Sequence, residues 1–231
     1  MIFQSIPVAL AIMYLLLIPC VVLYLRFKFG KREFLATVTK GLSAWIILAG
    51  ALFTAQGTEL SMFSTLIIAG LAMGMAGDIA LSLPTPGFTS GMLFFGLGHI
   101  CYIIAMILIS GSVIYAVFVF ILLYSVYLLV YHKLGIVPPE NLRVPIIAYS
   151  IIIVCMLSLA LTMPFTGPSG GLLLLFSGTL FTASDIMLAL YNNSITKTET
   201  PGKKSENLLG IASLVCYFTA QSLFAVSVYL F

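Results

Sequence analysis

The chain has 231 residues, of which 61% are hydrophobic and 7% are charged, and its net charge is +3. So few charges cannot cover the surface of a soluble domain of this length, so the composition predicts a polytopic all-α membrane protein. The small positive excess is loop charge that orients helices in a membrane, so we expect no nucleic-acid partner.

Eight apolar stretches follow one another along the chain. A membrane-spanning helix needs about 20 apolar residues. We therefore predict spans at 5–25, 36–55, 60–83, 88–109, 112–131, 144–163, 171–191 and 208–230. Runs of this length favour helices rather than the alternating strands of a barrel. Little sequence remains for a soluble domain, so residues 1–231 are expected to form a single integral membrane domain.

The basic residues predict the orientation of the spans. With eight spans, all ten lie on one side: Arg26, Lys28, Lys31, Arg32, Lys40, Lys133, Arg143, Lys197, Lys203 and Lys204. The positive-inside rule makes that side cytoplasmic and places both termini outside. Because the chain carries no tail or retention signal of eukaryotic type, we expect a bacterial inner (cytoplasmic) membrane.

The connections between the spans are short except for two on the basic side. These connections are 132–143 and 192–207. The second is polar and contains Pro and Gly, so it is predicted to be the most flexible segment. Tight turns are predicted at 84–87 and at 110–112.

The two halves of the chain resemble each other. The segment AGDIALSL contains Asp78, and ASDIMLAL contains Asp185, 107 positions later. GLGHICY at 96–102 aligns with FTAQSLF at 218–224, which places His99 opposite Gln221. Each half holds four spans, so we predict two parallel four-helix repeats, 1–111 and 112–231.

Asp78 and Asp185 are the two acids placed inside long apolar runs. A carboxylate at membrane depth costs at least a few kcal/mol, so it usually acts or pairs. Gly70, Gly74 and Asp78 repeat every four residues, which puts Asp78 on a small-residue face turned toward other helices. If the third span ends near Pro84, Asp78 lies about 9 Å deep, and Asp185 lies about 10 Å deep. The spacing thus predicts two carboxylates at matching depth in one chamber.

Other polar side chains lie on the same and neighbouring spans. They would converge on the aspartates if the third, fourth, seventh and eighth spans surround one cavity. These candidates are Lys40, His99, Tyr102, Thr182, Ser184, Tyr217 and Gln221.

Each candidate also has a structural interpretation. Lys40 can extend to the membrane interface or form a structural pair with Asp78. His99 can be a core histidine bonded to a backbone carbonyl, and Tyr217 and Gln221 can hold helices together. The two acids and His99 could form a metal-binding set, but the chain has no HExxH motif, second buried histidine or cysteine cluster. We therefore expect no metal and no other cofactor.

Four segments carry a resemblance to a known family. GDIAL, FFGLGHICYI, GTLFTASDIMLAL and YFTAQSL occur in this order along the chain, and they resemble the YhhN family of lysoplasmalogenase-like, eight-helix integral membrane proteins. Lys40 stands where the family tends to have Lys-Pro, although here Gly41 replaces the proline. The resemblance implies hydrolysis of the vinyl ether bond of a lysoplasmalogen to a fatty aldehyde and a glycerophospho-ethanolamine or -choline.

The candidate residues suit the activity that the resemblance implies. Cleavage of a vinyl ether starts with protonation of carbon, which needs an acid still protonated near neutral pH, and a carboxyl in an apolar site can hold its proton. Asp78 and Asp185 would divide the acid and base roles, as the carboxylates of glycosidases do. His99 would relay protons, and Tyr217 and Gln221 would hold phosphoglycerol oxygens. Lys40, Tyr102, Thr182 and Ser184 would also contact the lysophospholipid substrate, and membrane lipids surround the chain.

Two other functions fit part of the pattern. Parallel repeats with acids inside the membrane are also found in small-solute or proton-coupled transporters. A metal-dependent membrane lipid hydrolase is the third hypothesis, and the sequence does not give the oligomeric state.

Overall fold

The protein is a bundle of long helices. The computed structural model describes residues 2–56, 60–83, 87–133, 140–197 and 204–231. The helices are α1 (Ile2–Phe29), α2 (Glu33–Thr54), α3 (Met62–Ala80), α4 (Gly87–Ile109), α5 (Ile114–Lys133), α6 (Arg143–Thr166), α7 (Gly171–Lys197) and α8 (Lys204–Leu230). A short 3-10 helix, Glu140–Leu142, precedes α6. All eight α-helices are long and apolar enough to cross a membrane, and the described ranges contain no strand. The predicted all-helical fold with eight spans is confirmed.

Two predicted boundaries are wrong. Helix α3 ends at Ala80, with Leu81 as its C-cap, rather than near Pro84. Asp78 is therefore two residues from the last helical position. The 192–207 connection is also shorter than predicted, since α7 continues to Lys197 and α8 begins at Lys204. The segment after Tyr191 has no Pro or Gly before position 201, so polar residues prolong the helix, and 198–203 lie outside the described residues.

The helices form a closed ring of neighbours. In order around the ring, α2, α3, α4, α6, α7 and α8 each contact the next, and α8 contacts α2. Helix α1 packs on α2 and α5 packs on α6, both outside the ring, while α8 also contacts α3. This arrangement surrounds the aspartate-bearing helices α3 and α7 with polar residues from other helices.

The contacts of the two halves correspond. The pairs α1–α2, α2–α3 and α3–α4 match α5–α6, α6–α7 and α7–α8, and α4–α6 matches α8–α2. This correspondence favours a duplicated four-helix unit. The duplication itself, and the orientation in the membrane, stay predictions.

Small residues on α3 let two neighbouring helices approach closely. A Cβ atom at Gly70 would overlap the ring of Tyr102 on α4, and one at Gly74 would overlap the side-chain amide of Gln221 on α8. These positions lie on the face that carries Asp78. The glycines therefore make the room into which the polar side chains of the site are placed.

Candidate active site

The first carboxylate, Asp78, lies in a chain of polar contacts that we call the Asp78 cluster. Its Oδ1 is 2.8 Å from Nζ of Lys40, and its Oδ2 accepts a 2.7 Å hydrogen bond from the hydroxyl of Tyr217. The Tyr217 oxygen accepts from Nε2 of Gln221 at 3.2 Å, and Oε1 of Gln221 accepts from the hydroxyl of Tyr102 at 2.7 Å. Helices α2, α3, α4 and α8 thus each supply at least one member.

The ion pair defines the charge of this cluster. The Asp78 side chain is 1% exposed and that of Lys40 is 12% exposed, so both charges are removed from water. A buried carboxylate keeps its charge only when it is paired and hydrogen-bonded, and both conditions hold here. Lys40 also lies 5.9 Å from the centre of the Tyr217 ring. The structure therefore places Lys40 against Asp78, and the cluster contains an anion held in position.

The second carboxylate, Asp185, has different partners, which we call the Asp185 cluster. Its Oδ2 accepts a 2.6 Å hydrogen bond from the hydroxyl of Tyr149 on α6. The Nε2 atom of His99 is 3.2 Å from the Tyr149 hydroxyl and 3.5 Å from Asp185 Oδ2. Since the one hydroxyl proton of Tyr149 is directed to Asp185, the His99 contact requires a proton on Nε2. The cluster is therefore a carboxylate, a phenol and an imidazole within hydrogen-bonding reach of one another.

The other nitrogen of His99 has no partner among the described residues. His99 is 1% exposed, yet its Nδ1 makes no hydrogen bond in the described part of the chain. An unpartnered buried polar atom costs about 1–3 kcal/mol, so such atoms are rare and call for an explanation. This nitrogen is available to a ligand or a proton. Asp185 is 20% exposed, so this cluster is also more open than the first.

The two clusters meet at aromatic rings. The ring centre of Phe181 is 4.5 Å from that of His99 and 5.4 Å from that of Tyr217, both edge to face. The Tyr102 ring lies 6.4 Å from His99. Among the described residues, no hydrogen bond or ion pair joins the clusters directly. The two aspartates thus have separate polar partners, and the two clusters meet at Phe181. That the two carboxylates share one chamber stays a prediction.

Two of the predicted binding residues take part in hydrogen bonds within and between helices. The Thr182 hydroxyl donates to the carbonyl of Gly178 on its own helix at 2.9 Å. The Ser184 carbonyl accepts from the Ser213 hydroxyl at 2.9 Å, which joins α7 to α8. Neither Thr182 nor Ser184 bonds to a member of the two clusters in the described structure.

Sequence reasoning missed Tyr149. A tyrosine in an apolar helix is common, so its residue type gave no signal. At the repeat offset of 107, the counterpart of Lys40 is Ile147, two positions before Tyr149, so the internal repeat did not identify this tyrosine either.

A narrow cleft lies beside the Asp78 cluster. It is lined by Ala44, Ile47, Leu71, Tyr217, Phe218 and Gln221, and it is too narrow to hold a water molecule. A lipid headgroup could therefore enter only if the cleft widens. The lining residues come from α2, α3 and α8, and these are the helices that would have to move.

Among the described residues, no three side chains of His, Cys, Asp or Glu lie close enough together to hold a metal ion. The four cysteines, at 20, 101, 155 and 216, are free thiols.

Comparison with known proteins gives a family. The curated proteins contain no match to this chain, and neither do the solved structures. One family model, that of the YhhN family, matches residues 35–228, which include every member of both clusters. A match over so much of the length shows that the chain belongs to the YhhN family.

Proposed function

We propose that the protein is a membrane-embedded hydrolase that cleaves the vinyl ether bond of lysoplasmalogens. One observation carries the proposal. Inside a membrane-spanning bundle, Asp78 forms an ion pair with Lys40, and in a second cluster Asp185 accepts a hydrogen bond from Tyr149, whose hydroxyl also contacts His99. Vinyl ether hydrolysis needs both kinds of group, a fixed anion and a proton donor.

The reaction proceeds through a cation. A proton adds to the alkene carbon farther from the oxygen, and the electron pair of the double bond forms the new C–H bond. The oxocarbenium ion that results takes up water, which loses a proton to give a hemiacetal. The bond between the hemiacetal carbon and the glycerol oxygen then breaks, which releases a fatty aldehyde and a free glycerol hydroxyl. One water molecule is consumed and no net proton.

The geometry favours a division of roles between the aspartates. Asp78 is paired with Lys40, so it serves as the anion that stabilises the oxocarbenium ion. The Asp185 cluster supplies the proton, since its three groups lie within hydrogen-bonding reach of one another and its carboxyl is the more exposed one. The free Nδ1 of His99 accepts the proton that the attacking water loses. Tyr217 and Gln221 hold glycerol oxygens at the cleft.

Release of aldehyde tests the proposal. Purified protein in detergent is incubated with a lysoplasmalogen, and aldehyde is measured for the wild type, Asp185→Asn and the control Glu33→Gln. Loss of general acid catalysis lowers rates by about 10²–10⁴-fold, so Asp185→Asn should lose nearly all turnover while remaining folded. Glu33 is an exposed acid at the start of α2, and Glu33→Gln should behave as the wild type.

Two outcomes would contradict the hydrolase. If the wild type releases no aldehyde but takes up solute in liposomes, the protein is a transporter. If exhaustive chelation abolishes aldehyde release and a divalent metal restores it, the reaction is metal-dependent and the roles given to the aspartates are wrong.

A further inference from the structure

A third charged site lies at the end of the bundle that carries the basic residues. Nζ of Lys28, in the last turn of α1, is 5.8 Å from the ring centre of Tyr24 and 5.4 Å from that of Tyr191 on α7. A Cβ atom at Gly210 of α8 would lie 3.2 Å from the Tyr191 ring, so the glycine lets this ring pack against α8. Lys28 is half-buried, and its ammonium is held between two helices over aromatic rings.

Helix α1, which carries Lys28, packs on α2, which carries Lys40 of the Asp78 cluster. Lys28 lies at the end of its helix, whereas Lys40 is two turns inside α2. The order from the basic end of the bundle inward is therefore Lys28, then Lys40 with Asp78.

Among the side chains that the structure describes, which do not include those of 192–207, the charges in this region do not balance. Asp78 is paired with Lys40 at 2.8 Å, and no described carboxylate forms an ion pair with Lys28. Cations removed from water are usually paired, so the region favours the binding of one more negative charge.

We propose that Lys28 binds the phosphate of a single-chain phospholipid, with the rings of Tyr24 and Tyr191 fixing the ammonium in place. The inference rests on the proposed function, because it takes the substrate to be a lysophospholipid. In such a lipid, one glycerol unit separates the phosphate from the ether oxygen. The phosphate on Lys28 and the vinyl ether beside the deeper Asp78 would follow the order of the two sites along the bundle.

A binding experiment without turnover tests the phosphate site. The probe is a lysophospholipid with a saturated alkyl ether chain, which cannot be hydrolysed at a vinyl ether. Its binding to purified protein in detergent is compared with that of the alkylglycerol ether of the same chain length, which lacks phosphate. The variants are Lys28→Gln, Lys28→Arg and the control Lys133→Gln, an exposed lysine at the end of α5.

The proposal predicts a selective loss. A hydrogen bond to a charged group contributes about 1.5–3 kcal/mol, so Lys28→Gln should weaken binding of the phospholipid probe about 10-fold or more. Binding of the alkylglycerol should be unchanged, Lys28→Arg should retain most affinity, and Lys133→Gln should match the wild type. Added salt should weaken binding of the phospholipid probe to the wild type more than that of the alkylglycerol. This last comparison holds even if Lys28→Gln does not fold.

Other results would overturn the proposal. An equal loss of both probes in Lys28→Gln, or an equal salt dependence, would mean that Lys28 only supports the helices. Displacement of the probe by inorganic phosphate as effectively as by glycerophosphoethanolamine would indicate a site for free phosphate rather than for a headgroup. Failure of the hydrolase appears separately, as selective phospholipid binding without aldehyde release from a lysoplasmalogen.

Discussion

At the residue scale, the two aspartates look alike in sequence and differ in their partners. Asp78 contacts a lysine and a tyrosine, whereas Asp185 contacts a tyrosine and lies near a histidine. The sequence identified both acids because a carboxylate is rare inside an apolar run. It could not separate their roles, because partner identity depends on which helices become neighbours.

The Lys40–Asp78 pair should behave as a coupled unit. Asp78→Asn leaves Lys40 as a buried cation without its carboxylate, which costs about 3–5 kcal/mol of folding free energy. The double variant Lys40→Met/Asp78→Asn removes the orphaned charge, so it should recover much of that loss and remain inactive. Denaturant titration in detergent measures the free energy of unfolding of the wild type, the Lys40→Met and Asp78→Asn variants, and the double variant. Equal and additive losses for the two single variants would contradict the pairing.

Tyr149 should be a positioning residue for Asp185 and His99. Tyr149→Phe removes the hydroxyl that bonds the carboxylate, so aldehyde release should fall about 10-fold or more while the protein stays folded. The pH profile of turnover should also change, because the Asp185 cluster loses one of its hydrogen-bonding groups. Tyr115→Phe, an exposed tyrosine on α5, is the control. A change in KM alone, with an unchanged pH profile of turnover, would instead mean that Tyr149 contributes only to packing.

At the element scale, apolar runs predicted the number and order of the helices but not all their ends. A run of about 20 apolar residues marks the hydrocarbon that a helix crosses. A helix can continue beyond the apolar run, as α7 does, or stop before the end of that run, as α3 does. The spacing of Gly70, Gly74 and Asp78 predicted the close-packed face of α3 correctly, because a period of four defines a helix face whatever the ends are.

The α3 glycines should be sensitive to a single methyl group. Gly74→Ala would collide with the Gln221 amide and disturb its bond to Tyr217, and overpacking of this kind costs about 1–3 kcal/mol. Gly41→Ala is the matched control, since its Cβ would meet Ile79 at 3.7 Å, an ordinary contact. Thermal unfolding in detergent and aldehyde release are both measured. Equal stability of the two variants would contradict the close approach of α3 and α8.

At the scale of the whole molecule, the sequence predicted a membrane domain of eight spans but not the order of helices around the ring. The contact of α8 with both α2 and α3 brings Tyr217 to Asp78, and that of α4 with α6 brings His99 to Tyr149. Such neighbour relations depend on packing between distant segments. For this reason the candidate residues could be identified from the sequence, but the contacts that divide them into two clusters could not.

The predicted orientation can be measured directly. If the basic connections face the cytoplasm, the C-terminus lies outside, because α8 then runs outward. A bacterial alkaline phosphatase fused after residue 231 should be active in a bacterial host, since that enzyme needs the disulfides that form outside the cytoplasm. A fusion at Lys133 should be inactive. The reverse pattern of activities would mean that the basic connections face outward, and the proposed phosphate site would then lie in the outer leaflet.

The narrow cleft beside Tyr217 links the protein to the state of its bilayer. The cleft has no room for a headgroup while α2 and α8 remain in contact, so under the proposed function these helices must separate against the lateral pressure of the surrounding lipids. Steps of this kind often limit the rate of an enzyme. A stiff, tightly packed bilayer would then lower the rate of turnover without any change to the two aspartates, and a more fluid bilayer would raise it.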